Sequence, residues 1–222
     1  MKPSFDLVIF DCDGVLVDSE PLANKVYCQL LAEFGKTVDV QQTLIEMYGL
    51  TLPKRLEISS RQLNWTPPEN FLHLFHERQA ILTETELKPV EGIHALLDGL
   101  TAKRCVASNG YRAEIDMRLR TCQLEQYFGD AIFSAMEVAA PKPAPDVYLA
   151  AAKAFNISPS QCIVIEDSIP GVTAAVRAGM KVYGHAAFTL SESLREAGAI
   201  PFANMQELKS ILNETVNEKE RA

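Results

Sequence analysis

Asp11 and Asp13 stand one residue apart in the run Asp11-Cys12-Asp13-Gly14, directly after the apolar residues 7–10. If residues 7–10 form a strand of a parallel sheet, both acids fall at its carboxyl edge, where open α/β sheets bind their ligands. Alone, the pair suits an ordinary turn equally well, since Asp and Gly are common turn formers. Three further groups stand at or just beyond the ends of later apolar runs or helical stretches: Ser108-Asn109-Gly110, Lys142 in Pro141-Lys142-Pro143, and Glu166-Asp167-Ser168. Together they are the parts for phosphoryl transfer through a carboxylate nucleophile: acids to hold a divalent cation, a lysine, and hydroxyl and amide donors for phosphate oxygens. Asp11, Asp13 and Asp167 offer the hard oxygen ligands that Mg2+ takes, and no His or Cys ligand is required.

The elements that must position these groups follow from the apolar pattern. Short runs at 7–10, 105–107, 131–133 and 162–165 read as strands, and helical patterns separate the later ones. Strands alternating with helices predict an α/β fold, a parallel sheet with helices on both faces. In 111–122, Ile115, Leu119 and Cys122 share one helical face; Val147, Ala151 and Ala154 mark a second helix. Residues 168–179 open on a capping serine and close on a glycine, with Val172, Ala175 and Val176 as the inward side. The stretch 16–87 breaks this rhythm with helical patterns only: a stripe of Leu22, Val26, Leu30 and Phe34 ended by Gly35, then 41–47, 53–63 and 68–83. The expected organisation is a Rossmann-like core from 1–15 and 88–222, with a helical insertion at 16–87. The polar residues from Asn213 onward read as a frayed helix end or a tail.

Composition excludes several classes of function. The 222 residues, 47% of them hydrophobic, can bury a substantial core. A net charge of -8 opposes binding to nucleic acid or to an anionic membrane surface, so neither is an expected partner. An anionic substrate meets the same repulsion, and its site must supply its own cations. Five cysteines without C-x-x-C spacing indicate neither a disulfide framework nor a zinc knuckle, and reduced buried thiols are expected. The apolar start is short and interrupted by Asp6, unlike a signal peptide, and no stretch approaches a membrane span. A monomeric cytoplasmic protein is expected.

The segment Asp11-Cys12-Asp13-Gly14-Val15-Leu16-Val17-Asp18-Ser19-Glu20 resembles the first signature of the haloacid dehalogenase-like hydrolase superfamily. Its other motifs follow in order: Ser108-Asn109-Gly110 resembles the second, Lys142 with Pro143-Ala144-Pro145-Asp146 the third, and Glu166-Asp167-Ser168 with Gly171, Ala174, Ala175 and Gly179 the fourth. The resemblance implies a Mg2+-dependent phosphatase acting on a small phosphate ester. Asp11 would be the nucleophile, and Asp13 the acid that protonates the leaving oxygen and then the base that activates water. Asp11, Asp167 and the main-chain carbonyl of Asp13 would hold the metal, with Glu166 beside it. Ser108, Asn109 and Lys142 would bind the phosphoryl oxygens. The insertion would be the small helical cap that excludes water and reads the leaving group.

Within the superfamily, the second acid points to phosphate esters, because members that dehalogenate or cleave carbon–phosphorus bonds usually lack it. The sequence also resembles sugar phosphomutases of the β-phosphoglucomutase type around 137–146, but the cap histidine of that type, twelve residues after the nucleophile, is Ala23 here. That favours hydrolysis. By overall pattern the chain is similar to bacterial sugar-phosphate phosphatases, including the 6-phosphogluconate phosphatase branch. A receiver domain fits poorly, since its acceptor lies on a middle strand, and a catalytically silent binding relative would be expected to have lost one of Asp11, Asp13, Lys142 or Asp167. Lys54, Arg55 and Arg61 read as solvated surface, as do His73 and His76; Trp65 reads as core of the insertion, and Cys12 as packing between the acids.

Overall fold

The computed structural model describes residues 5–220. By contacts the chain forms two compact units, one of 1–17 with 88–222 and one of 18–87. The first begins with β1 (Leu7–Phe10). The second is built of α1 (Ser19–Glu33), α2 (Val40–Met47), α3 (Leu52–Gln62) and α4 (Phe71–Glu86). The chain then returns to the first unit as α5 (Ile93–Gly99), β2 (Lys103–Ser108), α6 (Arg112–Thr121), β3 (Ile132–Ser134), α7 (Asp146–Ala154), β4 (Cys162–Glu166), α8 (Ile169–Arg177), β5 (Lys181–His185), α9 (Ser191–Glu196), β6 (Ile200–Phe202) and α10 (Met205–Glu220).

All six strands run parallel in the order β3-β2-β1-β4-β5-β6. The chain winds outward through β2 and β3, then crosses back to lay β4 beside β1. The β1–β4 seam is thus the switch point of a doubly wound sheet, the crevice where such folds bind ligands. Phe10 pairs with Val106 on one side and Ile165 on the other, which brings the residues after β1, β2 and β4 to one edge. Both central strands are buried along their length because both sheet faces are covered. Leu7, Ile9, Cys105, Ala107 and Val164 share a core with Val147, Tyr148, Ala151, Val172 and Ala175 of α7 and α8. Phe10 points to the opposite face and meets the edge of the Phe128 ring.

Ser108 ends β2 and Glu166 ends β4, while Ser168, the capping serine expected from the sequence, caps α8 by accepting from Gly171 N at 3.1 Å. Leu16 and Val17 lie in the first unit, two residues past the boundary expected from sequence, because Leu16 O accepts from Val90 N and Val17 bridges to Asp13 and Pro89. β5, β6, α5, α9 and most of α10 are elements not assigned from the sequence; β5 holds Lys181, Gly184 and His185, and β6 is an edge strand with a central proline. Residues 221 and 222, the end of the expected tail, lie outside the described residues. No helix among the described residues is long and apolar enough to cross a membrane.

The helical unit has its own core of Tyr27, Leu30, Leu31, Phe71 and Phe75, with Trp65 against Phe71 at a ring distance of 5.8 Å. Tyr27 donates to Ser59 Oγ within it at 2.7 Å. Arg55 is not solvated surface: it is buried, donating to Leu50 O at 3.0 Å and Glu20 Oε2 at 2.5 Å. Lys54 and Arg61 are exposed and pair with Glu57.

Phe71→Ala removes a buried ring that touches Tyr27, Phe34 and Trp65, at an expected cost of about 3–5 kcal/mol. Trp65 is the single tryptophan of the chain, so its fluorescence reports on this unit. Its denaturant midpoint is expected to fall in the variant; an unchanged midpoint contradicts the packing described.

Candidate active site

Asp11 continues β1 into the crevice, its N–H donating to Ile165 O at 2.9 Å. The chain then folds tightly: Leu16 N and Val17 N both donate to Cys12 O, and Gly14 N donates to Val17 O. Gly14 adopts φ +73°, and a Cβ there would lie 2.0 Å from Asp167 Oδ2. Only glycine satisfies both the left-handed backbone and that approach. Buried His185 donates through Nδ1 to Gly14 O at 2.8 Å, since a carbonyl can only accept, and its ring stacks on Phe202. Burial pushes the Cys12 thiol up, with Asp13 adding to the effect, and all five cysteines are free and buried.

Lys142 is the hub. Its ammonium has three N–H donors, and all three are engaged: Asp11 Oδ1 at 2.6 Å, Ala107 O at 2.9 Å and Glu166 Oε1 at 2.9 Å. Burial would lower its pKa, but Asp11, Glu166 and Tyr148 outweigh burial and hold the amine charged. Asn109 grips the same loop from both sides, accepting from Lys142 N at 3.0 Å and donating to Lys142 O at 3.5 Å. Its side-chain amide therefore serves the Lys142 main chain, where the sequence suggests a phosphate contact. Ser108 is buried and accepts from Gly110 N at 3.2 Å.

Glu166 is saturated with donors. Oε1 accepts from Lys142 and from Tyr148 Oη at 3.2 Å; Oε2 accepts from Asp167 N, Ser168 N and Ser168 Oγ at 2.7–2.9 Å. Burial alone would raise this carboxyl, yet Lys142 and the Ser168 donors at the start of α8 bring it below its usual range. Room for it comes from Gly171, where a Cβ would sit 1.6 Å from Oε1. Tyr148, unforeseen in the sequence, also presents its ring face to the Lys142 ammonium at 4.8 Å.

Asp13 is held differently. Oδ2 accepts from Arg118 Nη1 of α6 at 3.0 Å, while Oδ1 is buried with no hydrogen-bond partner. Arg118 was also invisible to the sequence reading. Asp11, Asp13, Glu166 and Asp167, with Glu114 beside Arg118, outnumber the two cations Lys142 and Arg118. Burial raises the Asp11 carboxyl to about 7, with Glu166 and Asp13 adding to burial and Lys142 opposing it. Ligand oxygens of Asp11, Glu166 and Asp167 lie within 4.8 Å of one another. This all-oxygen, acid-rich set fits a divalent hard cation. Five donors engage Glu166, so Asp11 and Asp167 are the carboxylates of this set better suited to hold one.

The haloacid dehalogenase-like hydrolase model matches residues 8–185. A 6-phosphogluconate phosphatase of Escherichia coli is 31% identical over 93% of this chain and 94% of its own length. A phosphorylated carbohydrates phosphatase of Thermotoga maritima is 33% identical over 95% of this chain and all of its own. Among solved structures, a hydrolase of the same family from Deinococcus radiodurans, with bound phosphate and sodium, superposes with a TM-score of 0.87 at 30% identity, covering 97% of each chain.

The raised Asp11 carboxyl makes a stability prediction for the protein freed of divalent cations. Its folded pKa of about 7 lies above the ordinary 3.8, so its contribution is full below about pH 4 and is lost as pH rises through 7. Asp11→Asn cannot ionise. The Tm of Asp11→Asn relative to that of the unaltered chain, in EDTA, is therefore expected to rise from pH 5 to pH 8; a pH-independent difference contradicts the burial argument.

Proposed function

Because the chain belongs to the haloacid dehalogenase-like hydrolase family and is a phosphoric monoester hydrolase, we propose that it cleaves the ester of a small sugar or sugar-acid phosphate, such as 6-phosphogluconate, with Asp11 as nucleophile and Mg2+ as cofactor. The observation that carries this reading is the Asp11–Lys142–Glu166 cluster at the β1–β4 switch point, with Asp167 against Gly14 beside it.

Mg2+, held by Asp11, Asp167 and the main-chain oxygen of Asp13, would neutralise charge on the phosphoryl oxygens. Lys142 adds a fixed positive charge against Asp11, so an anionic carboxylate and an anionic phosphoryl group can meet in a chain whose net charge is -8. Asp11 attacks phosphorus as the ester P–O bond breaks, and the proton on Asp13 passes to the leaving oxygen. Water then attacks phosphorus, giving its proton to Asp13, and the bond to Asp11 breaks to release phosphate. Ser108 offers its hydroxyl to a phosphoryl oxygen, and Asn109 keeps the Lys142 loop in register. Hydrolysis is favoured over phosphoryl return to the sugar because position 23, which carries a cap histidine in phosphomutases of the β-phosphoglucomutase type, is an alanine with no group to hold a proton or a hydroxyl.

Phosphate release is the test, measured over sugar, sugar-acid, nucleotide and aryl phosphates with Mg2+ or with EDTA. We expect release from one or a few sugar-type esters, abolished by EDTA and lowered about 1,000-fold or more by Asp11→Asn. Turnover that survives Asp11→Asn overturns the nucleophile. Interconversion of glucose phosphate isomers without net release overturns hydrolysis in favour of a mutase.

A further inference from the structure

We propose that Arg118 is a positioning residue for the acid–base carboxyl of Asp13, an assignment that rests on the phosphatase reading above. The contact joins residues 105 apart in sequence, between the loop after β1 and the second turn of α6. The Arg118 side chain is only 16% exposed, so its guanidinium is confined, whereas the Asp13 side chain is 36% exposed and Arg118 is the group that holds its Oδ2.

The geometry divides the work of the two Asp13 oxygens. A guanidinium only donates, so Oδ2, 3.0 Å from Arg118 Nη1, is held as an acceptor. Oδ1 is buried without a partner. It is thus the oxygen that gives a proton to the departing ester oxygen and takes one from the attacking water. Without Arg118 the carboxyl is free to rotate, and the proton is no longer presented from a fixed place.

Gly110 supports the same assignment from another direction. A Cβ at Gly110 would lie 3.1 Å from Arg118 Nη1 and 3.6 Å from Glu114 Oε2, so the glycine of Ser108-Asn109-Gly110 leaves the space that the guanidinium occupies. Glu114, one turn earlier on α6, lies 3.9 Å from Arg118 Nη2 and flanks it. The second chemical run therefore contributes to the acid–base group through Arg118 as well as to phosphate binding.

Two esters separate this role from general ones. A sugar-type ester such as 6-phosphogluconate needs its leaving oxygen protonated, while p-nitrophenyl phosphate releases a stable anion without a proton. In Arg118→Met, kcat on 6-phosphogluconate is expected to fall about 100-fold with KM little changed, and Arg118→Lys to recover part of the loss. With p-nitrophenyl phosphate, the first rapid release of p-nitrophenolate should keep its rate while the later steady rate, which needs water activated by Asp13, falls. Equal loss of the rapid phase, a rise in KM alone, or no change overturns the assignment. Hydrolysis of neither ester by the unaltered chain overturns instead the phosphatase reading. Crystal structures of both proteins test the positioning by itself: a fixed Asp13 carboxyl that loses its orientation in Arg118→Met supports it, and an unchanged one overturns it.

Discussion

A buried ammonium must find three acceptors, and Lys142 finds them on three different strand ends: Asp11 after β1, Ala107 in β2 and Glu166 in β4. Everything at the sheet edge answers to this one constraint. Removing one partner of such a group leaves uncompensated buried charge, at a cost of about 3–5 kcal/mol. The doubly wound order meets the constraint, because it alone sets the ends of β2, β1 and β4 side by side, within reach of a single side chain arriving from the loop before α7. Glu166 closes the arrangement: five donors surround it, so it can remain ionised next to Asp11 and keep Lys142 charged. Asp11, the proposed nucleophile, is therefore set against a permanent cation before any substrate arrives, which is the preorganisation that electrostatic catalysis requires.

Close packing of so many acids requires room, and glycines provide it. Gly14 admits Asp167, Gly171 admits Glu166, and Gly110 admits Arg118. In the first two a methyl group would overlap the carboxylate outright, at 2.0 and 1.6 Å. These positions thus shape the charge cluster as directly as the charged residues do.

Asp11, Asp13, Ser108, Lys142, Glu166 and Asp167 were legible because each stands where an apolar run stops or a proline-bounded turn begins, and such places in a parallel sheet share one edge. Strands β1 to β4 were legible for the same reason, the edge strand β3 included. Arg118, Tyr148 and His185 were not. Arg118 and Tyr148 lie inside helices and His185 ends β5, a strand not read from the sequence; each acts through a partner far away in sequence: Asp13, Glu166 and Gly14. Periodicity marks which face of an element is inward, but it does not say which distant group that face will meet. Arg55 misled for a related reason: a basic residue on a helix is usually solvated, and only the fold reveals Glu20 and Leu50 O as its partners. β5 and β6 escaped because a glycine, a histidine and a proline blunt the apolar signal of short strands at the far side of the sheet.

The central claim is that Asp11, locked to Lys142, carries the phosphoryl group between ester and water. Borohydride reduces an aspartyl phosphate to homoserine, so quenching the protein during turnover with 6-phosphogluconate and mapping its peptides by mass spectrometry tests the claim at a single residue. The account predicts homoserine at position 11, present only when substrate and Mg2+ are both supplied. Steady phosphate release with no modification at Asp11, or with the label on another acid, would contradict it.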